Sequence, residues 1–84
     1  MKRLIFMGKH IMQAAMILFE DNDDFTTKQI ASWPELEVTV REDGRYAVWV
    51  NLIDDAELLQ DTRRDTKGVL EKLLPYVDET IVDE

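Results

Sequence analysis

An acidic run, Glu20–Asp24, is the densest group of carboxylates in the chain. Hard cations such as calcium bind several carboxylate oxygens, and a calcium-binding EF-hand loop has a fixed spacing. A loop of that type starting at Asp21 requires glycine at its sixth position and glutamate at its twelfth. Thr26 and Ser32 occupy those positions. We therefore interpret the run as a solvated acidic loop, and we expect no bound metal.

Residues suited to catalysis are scarce. His10 is the only histidine and Ser32 the only serine, and the chain contains no cysteine. A Ser-His-Asp arrangement would depend on this single pair, and Ser32 lacks the flanking glycines of a nucleophile elbow. Gly8, Gly44 and Gly68 are isolated, so no glycine-rich phosphate loop is present. We predict that the protein is not an enzyme and has no cofactor.

The charge balance bears on which partners are expected. Eighteen acidic residues against ten basic ones give a net charge of −8, which repels nucleic-acid phosphates. The basic residues are scattered along the sequence, and Arg41, Arg45 and Arg63–Arg64 are the nearest to clusters. Nucleic-acid binding generally requires a basic patch. We therefore expect no nucleic-acid partner.

The segment Thr26–Ala31 resembles the second helix of many helix-turn-helix domains. In that motif a turn and a DNA-reading recognition helix should follow. Here Trp33, Pro34 and a strand-like stretch beginning at Leu36 follow at once. The resemblance therefore lacks the element that reads DNA, which agrees with the charge balance.

A β-hairpin is the clearest element of the sequence. Leu36–Arg41 and Arg45–Leu52 both alternate apolar and polar residues. A two-residue turn would pair Val38 with Trp49, whereas a three-residue loop ending in a left-handed glycine would pair Val38 with Val48. A slip of one residue moves every side chain to the opposite face. Only the longer loop gathers the apolar residues on one face, so we predict it; these residues are Leu36, Val38, Val40, Tyr46, Val48 and Val50.

The second face of this hairpin is polar except for one large aromatic residue. In the predicted register it carries Glu37, Thr39, Arg41, Arg45, Ala47, Trp49 and Asn51. Tryptophan and arginine are enriched at binding hot spots. We predict a protein-binding site formed by Trp49, Arg41, Arg45 and Thr39. The alternative is that Trp49 packs beneath a loop, beneath the C-terminal segment or in a second core layer.

The first third of the chain predicts a strand and two helices. Arg3–Met7 is apolar enough for a buried strand, and Lys9–Phe19 has helical apolar spacing. One helix beginning at residue 3 is the alternative, but Gly8 inside it would cost about 1 kcal/mol. A capping box of Thr26 and Gln29 predicts a short helix over Thr27–Ser32, ended by the following proline. Trp33 is expected to cover the core at the next turn.

The last third predicts a helix and a strand. The helix would begin at Asp54 and be closed by Pro75, with a polar middle and Gly68 that allow a break near Asp61–Asp65. A final short strand is expected over Thr80–Val82.

These elements give an α+β fold class for one domain over residues 1–84. The order βαββαβ, with an extra short helix before the hairpin, predicts a ferredoxin-like two-layer sandwich. A winged-helix-like domain is the alternative, because two helices precede the hairpin. A chain this short buries about 60–65% of the surface that it exposes when unfolded, so its core is thin.

The functional expectation is a small, acidic, non-catalytic protein-binding or regulatory module that binds a protein partner or a second copy through the open sheet face. The alternative is a DNA-mimicking or phage-type inhibitor, which would use carboxylates spaced along the last helix: Asp54, Asp55, Glu57, Asp61 and Asp65. The apolar start is interrupted by Gly8–His10, no cleavage site follows it, and no stretch approaches the roughly 18 apolar residues of a membrane span. We therefore expect a cytoplasmic protein without a membrane partner.

Overall fold

The computed structural model of the protein describes residues 1–19 and 25–82, so the acidic run Glu20–Asp24 and its predicted role lie outside the described residues. The described residues form a small α+β domain with a five-stranded antiparallel sheet and three helices. In chain order these are β1 (Lys2–Phe6), α1 (Lys9–Leu18), α2 (Thr27–Ala31), β2 (Leu36–Val40), β3 (Arg45–Asn51), β4 (Ala56–Arg64), α3 (Val69–Leu73) and β5 (Glu79–Val82). A 3₁₀ turn, Leu74–Tyr76, continues α3.

The strand order in the sheet is β4-β3-β2-β1-β5, and every neighbouring pair is antiparallel. In a split βαβ unit another strand separates the two strands that a helix connects. Here β1 and β2 are direct neighbours, so the observed order differs from the predicted ferredoxin-like one. The winged-helix alternative also fails, because the hairpin strands β2 and β3 lie inside a five-stranded layer.

The predicted hairpin register is confirmed. Val38 pairs with Val48, and Val40 pairs with Tyr46. The loop closes through the Gly44 N–H, which donates to the Arg41 carbonyl at 3.0 Å. Gly44 has φ of +86°, the left-handed conformation that glycine adopts without steric cost. The loop therefore has the three-residue form chosen from the hydrophobic pattern.

The core lies between one face of the sheet and α1. The predicted order of strand and then helix at the N-terminus is confirmed, because β1 ends before Gly8 and α1 follows it. Apolar residues at helical spacing on α1 pack against the inward residues of three strands. The buried residues of this cluster include Ile11, Ala14, Ala15 and Leu18 on α1, and Leu4, Phe6, Leu36, Val38, Tyr46 and Val48 on the sheet.

The predicted capping box opens α2. The Gln29 N–H donates to Thr26 Oγ1 at 3.1 Å, and the Thr26 N–H donates to Gln29 Oε1 at 2.8 Å. Trp33 is half-buried and lies edge-on to Phe25, with ring centroids 5.2 Å apart. Phe19, at the end of α1, contacts both rings. Trp33 therefore covers the core next to α2, as the sequence predicts.

The predicted long helix after the hairpin is wrong in its first half. Residues 56–64 form β4, which pairs along β3, with Tyr46 opposite Arg63 and Trp49 opposite Leu58. The polar middle and Gly68 gave this segment a weak helical preference, and pairing with β3 satisfies backbone groups that β3 would otherwise leave at the sheet edge. Tertiary context therefore overrode a marginal local preference.

Only a short part of the segment predicted to be helical forms a helix, namely α3. It begins only after Asp65, whose carboxylate accepts the N–H groups of Val69 at 2.7 Å and Leu70 at 3.2 Å. Leu73 from this helix is fully buried in the core. The predicted final strand is confirmed as part of β5, which forms one outer edge of the sheet while β4 forms the other.

The loop geometry gives a first prediction. Gly44→Ala should lower the free energy of unfolding by about 1–2 kcal/mol, because an L side chain is strained at positive φ. The added methyl group would meet no atom within 4 Å, so the loss would be purely conformational. Gly44→Asn is the matched control, since asparagine tolerates this region better. Urea unfolding should rank the wild type first, Asn second and Ala third; equal stability of all three would contradict the prediction.

Candidate functional site

The face of the sheet opposite the helices, called the open face below, is crossed by one row of side chains from all five strands. The register places them side by side in the order Glu79, Ile5, Glu37, Trp49 and Leu58. A second row contains Ile81, Arg3, Thr39 and Ala47. The large apolar residues Trp49 and Leu58 therefore lie in the first row, and the small residues Thr39 and Ala47 lie beside Glu37 and Trp49 in the second.

Trp49 lies on the open face, as predicted from the hairpin register. Its sequence neighbours Val48 and Val50 are buried, whereas Trp49 itself is half-buried. Leu58, its partner on β4, is exposed, and Ile5 in the same row is only 3% exposed. The indole ring is thus neither fully exposed nor sealed into the core, and part of it remains available to a partner.

Glu37 is the buried polar centre of the open face, with 9% of its surface exposed. Its carboxylate accepts hydrogen bonds from Thr39 Oγ1 and from Asn51 Nδ2, both at 3.1 Å. Arg3 Nη1 lies 3.8 Å from the same carboxylate. A buried charge is tolerated when it is paired and hydrogen-bonded. This network therefore holds Glu37 between Ile5 and Trp49 and fixes the Thr39 hydroxyl.

Opposite charges occupy the two ends of the open face. Arg41 and Arg45 are exposed beside the hairpin loop, where the Arg41 N–H donates to the Arg45 carbonyl at 2.8 Å. Arg45 Nε lies 3.8 Å from Asp43 Oδ2, an exposed pair of small energetic value. At the other end, Glu35 accepts a hydrogen bond from Asn51 Nδ2 at 2.5 Å, and Glu79 is exposed. The open face therefore has two arginines at the loop end, next to the exposed loop residues Glu42 and Asp43, and carboxylates at the opposite end.

The structure brings the four predicted site residues onto two adjacent strands and their connecting loop. Thr39 pairs with Ala47, between the positions of Trp49 and Arg45, and Arg41 follows the last residue of β2. Sequence reasoning missed the contributions of β1, β4 and β5: Arg3, Ile5, Leu58, Glu79 and Ile81. No local signal shows which strands become neighbours, because strand pairing is a long-range property.

His10 and Ser32 have structural contacts. His10 is in the first turn of α1, and its Nδ1 lies 2.9 Å from Asp78 Oδ1. The other oxygen of Asp78 accepts the Met7 N–H at 2.7 Å. The Ser32 hydroxyl donates to the Gln29 carbonyl at 2.6 Å. His10 therefore lies in the first turn of α1, and Ser32 is the C-cap residue of α2.

The contacts of Asp78 also lower its pKa. The backbone hydrogen bond from Met7 and the side-chain hydrogen bond from His10 hold the pKa of Asp78 below its ordinary value of 3.8. The folded state therefore favours the ionised carboxylate. Asp78 joins three elements, because its own N–H also donates to the Ile5 carbonyl at 2.9 Å. It fastens the start of β5 to the end of β1 and to α1.

Comparison of the chain with protein-family models, with curated proteins and with solved structures found no match. Within residues 1–19 and 25–82, no cluster of three or more histidine or acidic side chains is placed to hold a metal ion. None of the helices described here has the length and apolar character needed to cross a membrane. The open face thus provides the basis for a functional proposal.

The pKa of Asp78 gives a second prediction. A carboxyl whose pKa is lowered by folding adds stability above its ordinary pKa, and this stability is lost as the pH falls through the folded-state value. Asp78→Asn should therefore be less stable than the wild type at pH 7, and the difference should shrink as the solution is acidified below about pH 4. Urea unfolding at several pH values measures this. Asp54→Asn, the same change in an exposed turn, is the control; an equal effect in both variants would contradict the prediction.

Proposed function

We propose that the protein is a non-catalytic protein-interaction module whose open face binds a second copy of the chain. The observation that carries this proposal is the half-buried Trp49, which lies beside the exposed Leu58 on a face with arginines at one end and carboxylates at the other. Large aromatic residues flanked by arginines are typical of binding hot spots. A second copy is the partner whose chemistry the face complements.

A two-fold symmetric dimer would bring complementary parts of the two open faces together. A two-fold axis can run between the two rows and parallel to them. It places the open face of the second copy against that of the first, with the strand directions reversed. The row that contains Trp49 then lies against the row that contains Thr39 and Ala47 of the second copy. A large side chain therefore meets small ones, which is how packed sheets interdigitate.

The same axis pairs the charges. The loop end of one copy, with Arg41 and Arg45, meets the end of the other copy that contains Glu35. Symmetry repeats this contact at the opposite end of the interface. Electrostatic complementarity of this kind fixes the relative orientation of the partners more than it raises affinity. It opposes the general repulsion between two chains of net charge −8.

The area of the open face limits the expected affinity of the dimer. Five strands spaced about 4.8 Å apart, each with about five residues rising about 3.3 Å, cover on the order of 300 Å². Stable interfaces bury about 800 Å² per partner. Even with the added area of protruding side chains, the open face is small. We therefore expect a reversible dimer that dissociates on dilution.

The acidic-inhibitor alternative has less support. It relied on regular helical spacing of carboxylates, but the segment that was expected to be helical is instead a turn and β4. Asp54 and Asp55 lie in that turn, Glu57 and Asp61 lie in β4, and Asp65 accepts the N–H groups at the start of α3. No specific observation in the described residues favours it as a second function.

Trp49→Ala should shift the protein toward monomer, because it removes the largest apolar side chain of the face. Sedimentation velocity from about 10 µM to about 1 mM would measure the equilibrium. Leu74→Ala, an exposed apolar residue in the helical layer, is the matched control and should dimerise like the wild type. Ala47→Lys tests the same face without removing the indole. A wild type that stays monomeric at the highest concentration would overturn the proposal.

A charge swap tests the orientation of the dimer. Arg45→Glu and Glu35→Lys should each weaken dimerisation about tenfold, since symmetry applies each change twice. The double variant should recover most of the loss. Lys28→Glu and Glu71→Lys are matched single reversals on exposed residues of α2 and α3. Weakening in the single variants without recovery in the double variant would reject the proposed axis.

A further inference from the structure

A cleft opens on the helical side of the sheet, at the edge formed by β4. It has a volume of about 260 Å³ and lies between the C-terminal end of α1, β4 and α3. Ile17 and Leu18 form its apolar wall, and Tyr46 and Gln60 reach it from the sheet. Most of its lining lies on the other side of the sheet from the open face, and Arg64, the partner of Arg45, lies at the loop end where the two surfaces meet.

Basic residues converge on this cleft. Four of the ten basic residues in the chain line it: Arg63, Arg64, Lys67 and Lys72. The sequence names Arg63–Arg64 as one of the nearest approaches to a basic cluster, and the structure adds Lys67 and Lys72 from the loop and helix that follow. Among the described residues, Arg63, Arg64 and Lys72 form no ion pair.

One acidic residue borders this basic group. Asp65 directly follows β4, and its two carboxylate oxygens accept the backbone N–H groups of Val69 and Leu70. Among the described residues, four basic and no acidic side chains line the cleft, which makes it a local positive site in a chain with a net charge of −8. Positive charge concentrated in a concave site raises the local concentration of small anions.

Two neutral groups add specific hydrogen-bonding capacity. The Oε1 atom of Gln60 is buried and has no hydrogen-bond partner in the described residues. A buried polar atom without a partner is destabilising, and rotation of the Gln60 side chain toward the cleft would let a ligand donor satisfy it. Burial raises the pKa of Tyr46 above its ordinary value of 10.0, although the nearby charge of Arg63 lowers it in part. The Tyr46 phenol therefore remains a donor at neutral pH.

We propose that this cleft binds a small molecule that carries a phosphate group and a hydroxyl. Arg63 and Lys72 contact the phosphate from β4 and α3, Lys67 and Arg64 add charge, and the ligand hydroxyl donates to Gln60 Oε1. Arginine and lysine are the residues that recognise phosphate dianions. The cleft volume and the acidic remainder of the surface favour a small ligand over a nucleic-acid chain.

Titration of the full chain with inorganic phosphate, glycerol phosphate and acetate, at constant ionic strength, tests the proposal. Backbone amide shifts in two-dimensional NMR would report binding. We expect glycerol phosphate to bind more tightly than phosphate, and acetate to bind most weakly. Shifts should centre on residues 60–72 and on Tyr46.

Variants distinguish a specific site from general attraction. Lys72→Ala and Arg63→Gln should each weaken glycerol phosphate binding about tenfold, the loss typical of a charged hydrogen bond. Gln60→Leu should remove the preference for glycerol phosphate over phosphate. Lys28→Ala, an exposed lysine on α2 that does not line the cleft, should leave binding unchanged.

The outcomes are decisive in both directions. The amide spectrum of each folded variant confirms that the domain is intact, and Lys72 is exposed, so its removal leaves the core in place. Absence of shifts with both phosphates would overturn the proposal. Equal weakening by Lys28→Ala, or tighter binding of acetate than of phosphate, would overturn it as well.

Discussion

The register of the β2–β3 hairpin is the constraint on which the rest of the structure depends. The three-residue loop, closed by Gly44 in its left-handed conformation, decides which side chains of both strands face α1. Because side chains alternate along a strand, a shift by one residue would place Trp49 in the core and Val48 outside. Strands β1 and β4 pair on either side of the hairpin and extend the same alternation across the sheet.

The features that could be predicted from sequence are those that local rules determine. Alternation fixed the hairpin, helical spacing fixed α1, and the hydrogen-bonding pair of Thr26 and Gln29 fixed the start of α2. These rules did not predict β4, because residues 56–64 show no strict alternation of apolar and polar side chains. They form a strand by pairing with β3, which precedes them across residues 52–55. The candidate surfaces show the same division: Trp49, Thr39 and Arg45 share one hairpin, whereas the residues of the cleft come together only after β4 and α3 have folded.

The two faces of the sheet differ in how they accommodate polar groups. The helical side buries an almost entirely apolar cluster and leaves its charges at the rim, in the cleft beside β4. The open side instead buries a carboxylate, Glu37, and surrounds it with donors from Arg3, Thr39 and Asn51. Strand β3 contributes to both surfaces, because Tyr46 lines the cleft while Trp49 lies on the open face. The proposed dimer and the proposed ligand site therefore share strand β3 and adjoin where Arg45 pairs with Arg64.

The outer position of β4 has a consequence for assembly. The outer edge of this nine-residue strand is a template on which other chains can add, and such addition leads to fibrils. Four charged side chains, Glu57, Asp61, Arg63 and Arg64, project from this strand, and the register is irregular between Tyr46 and Trp49. An incoming strand would have to strip water from those charges and follow a distorted backbone. Growth of the sheet into an amyloid-like ribbon is thereby opposed, even at protein concentrations high enough for the flat faces to meet.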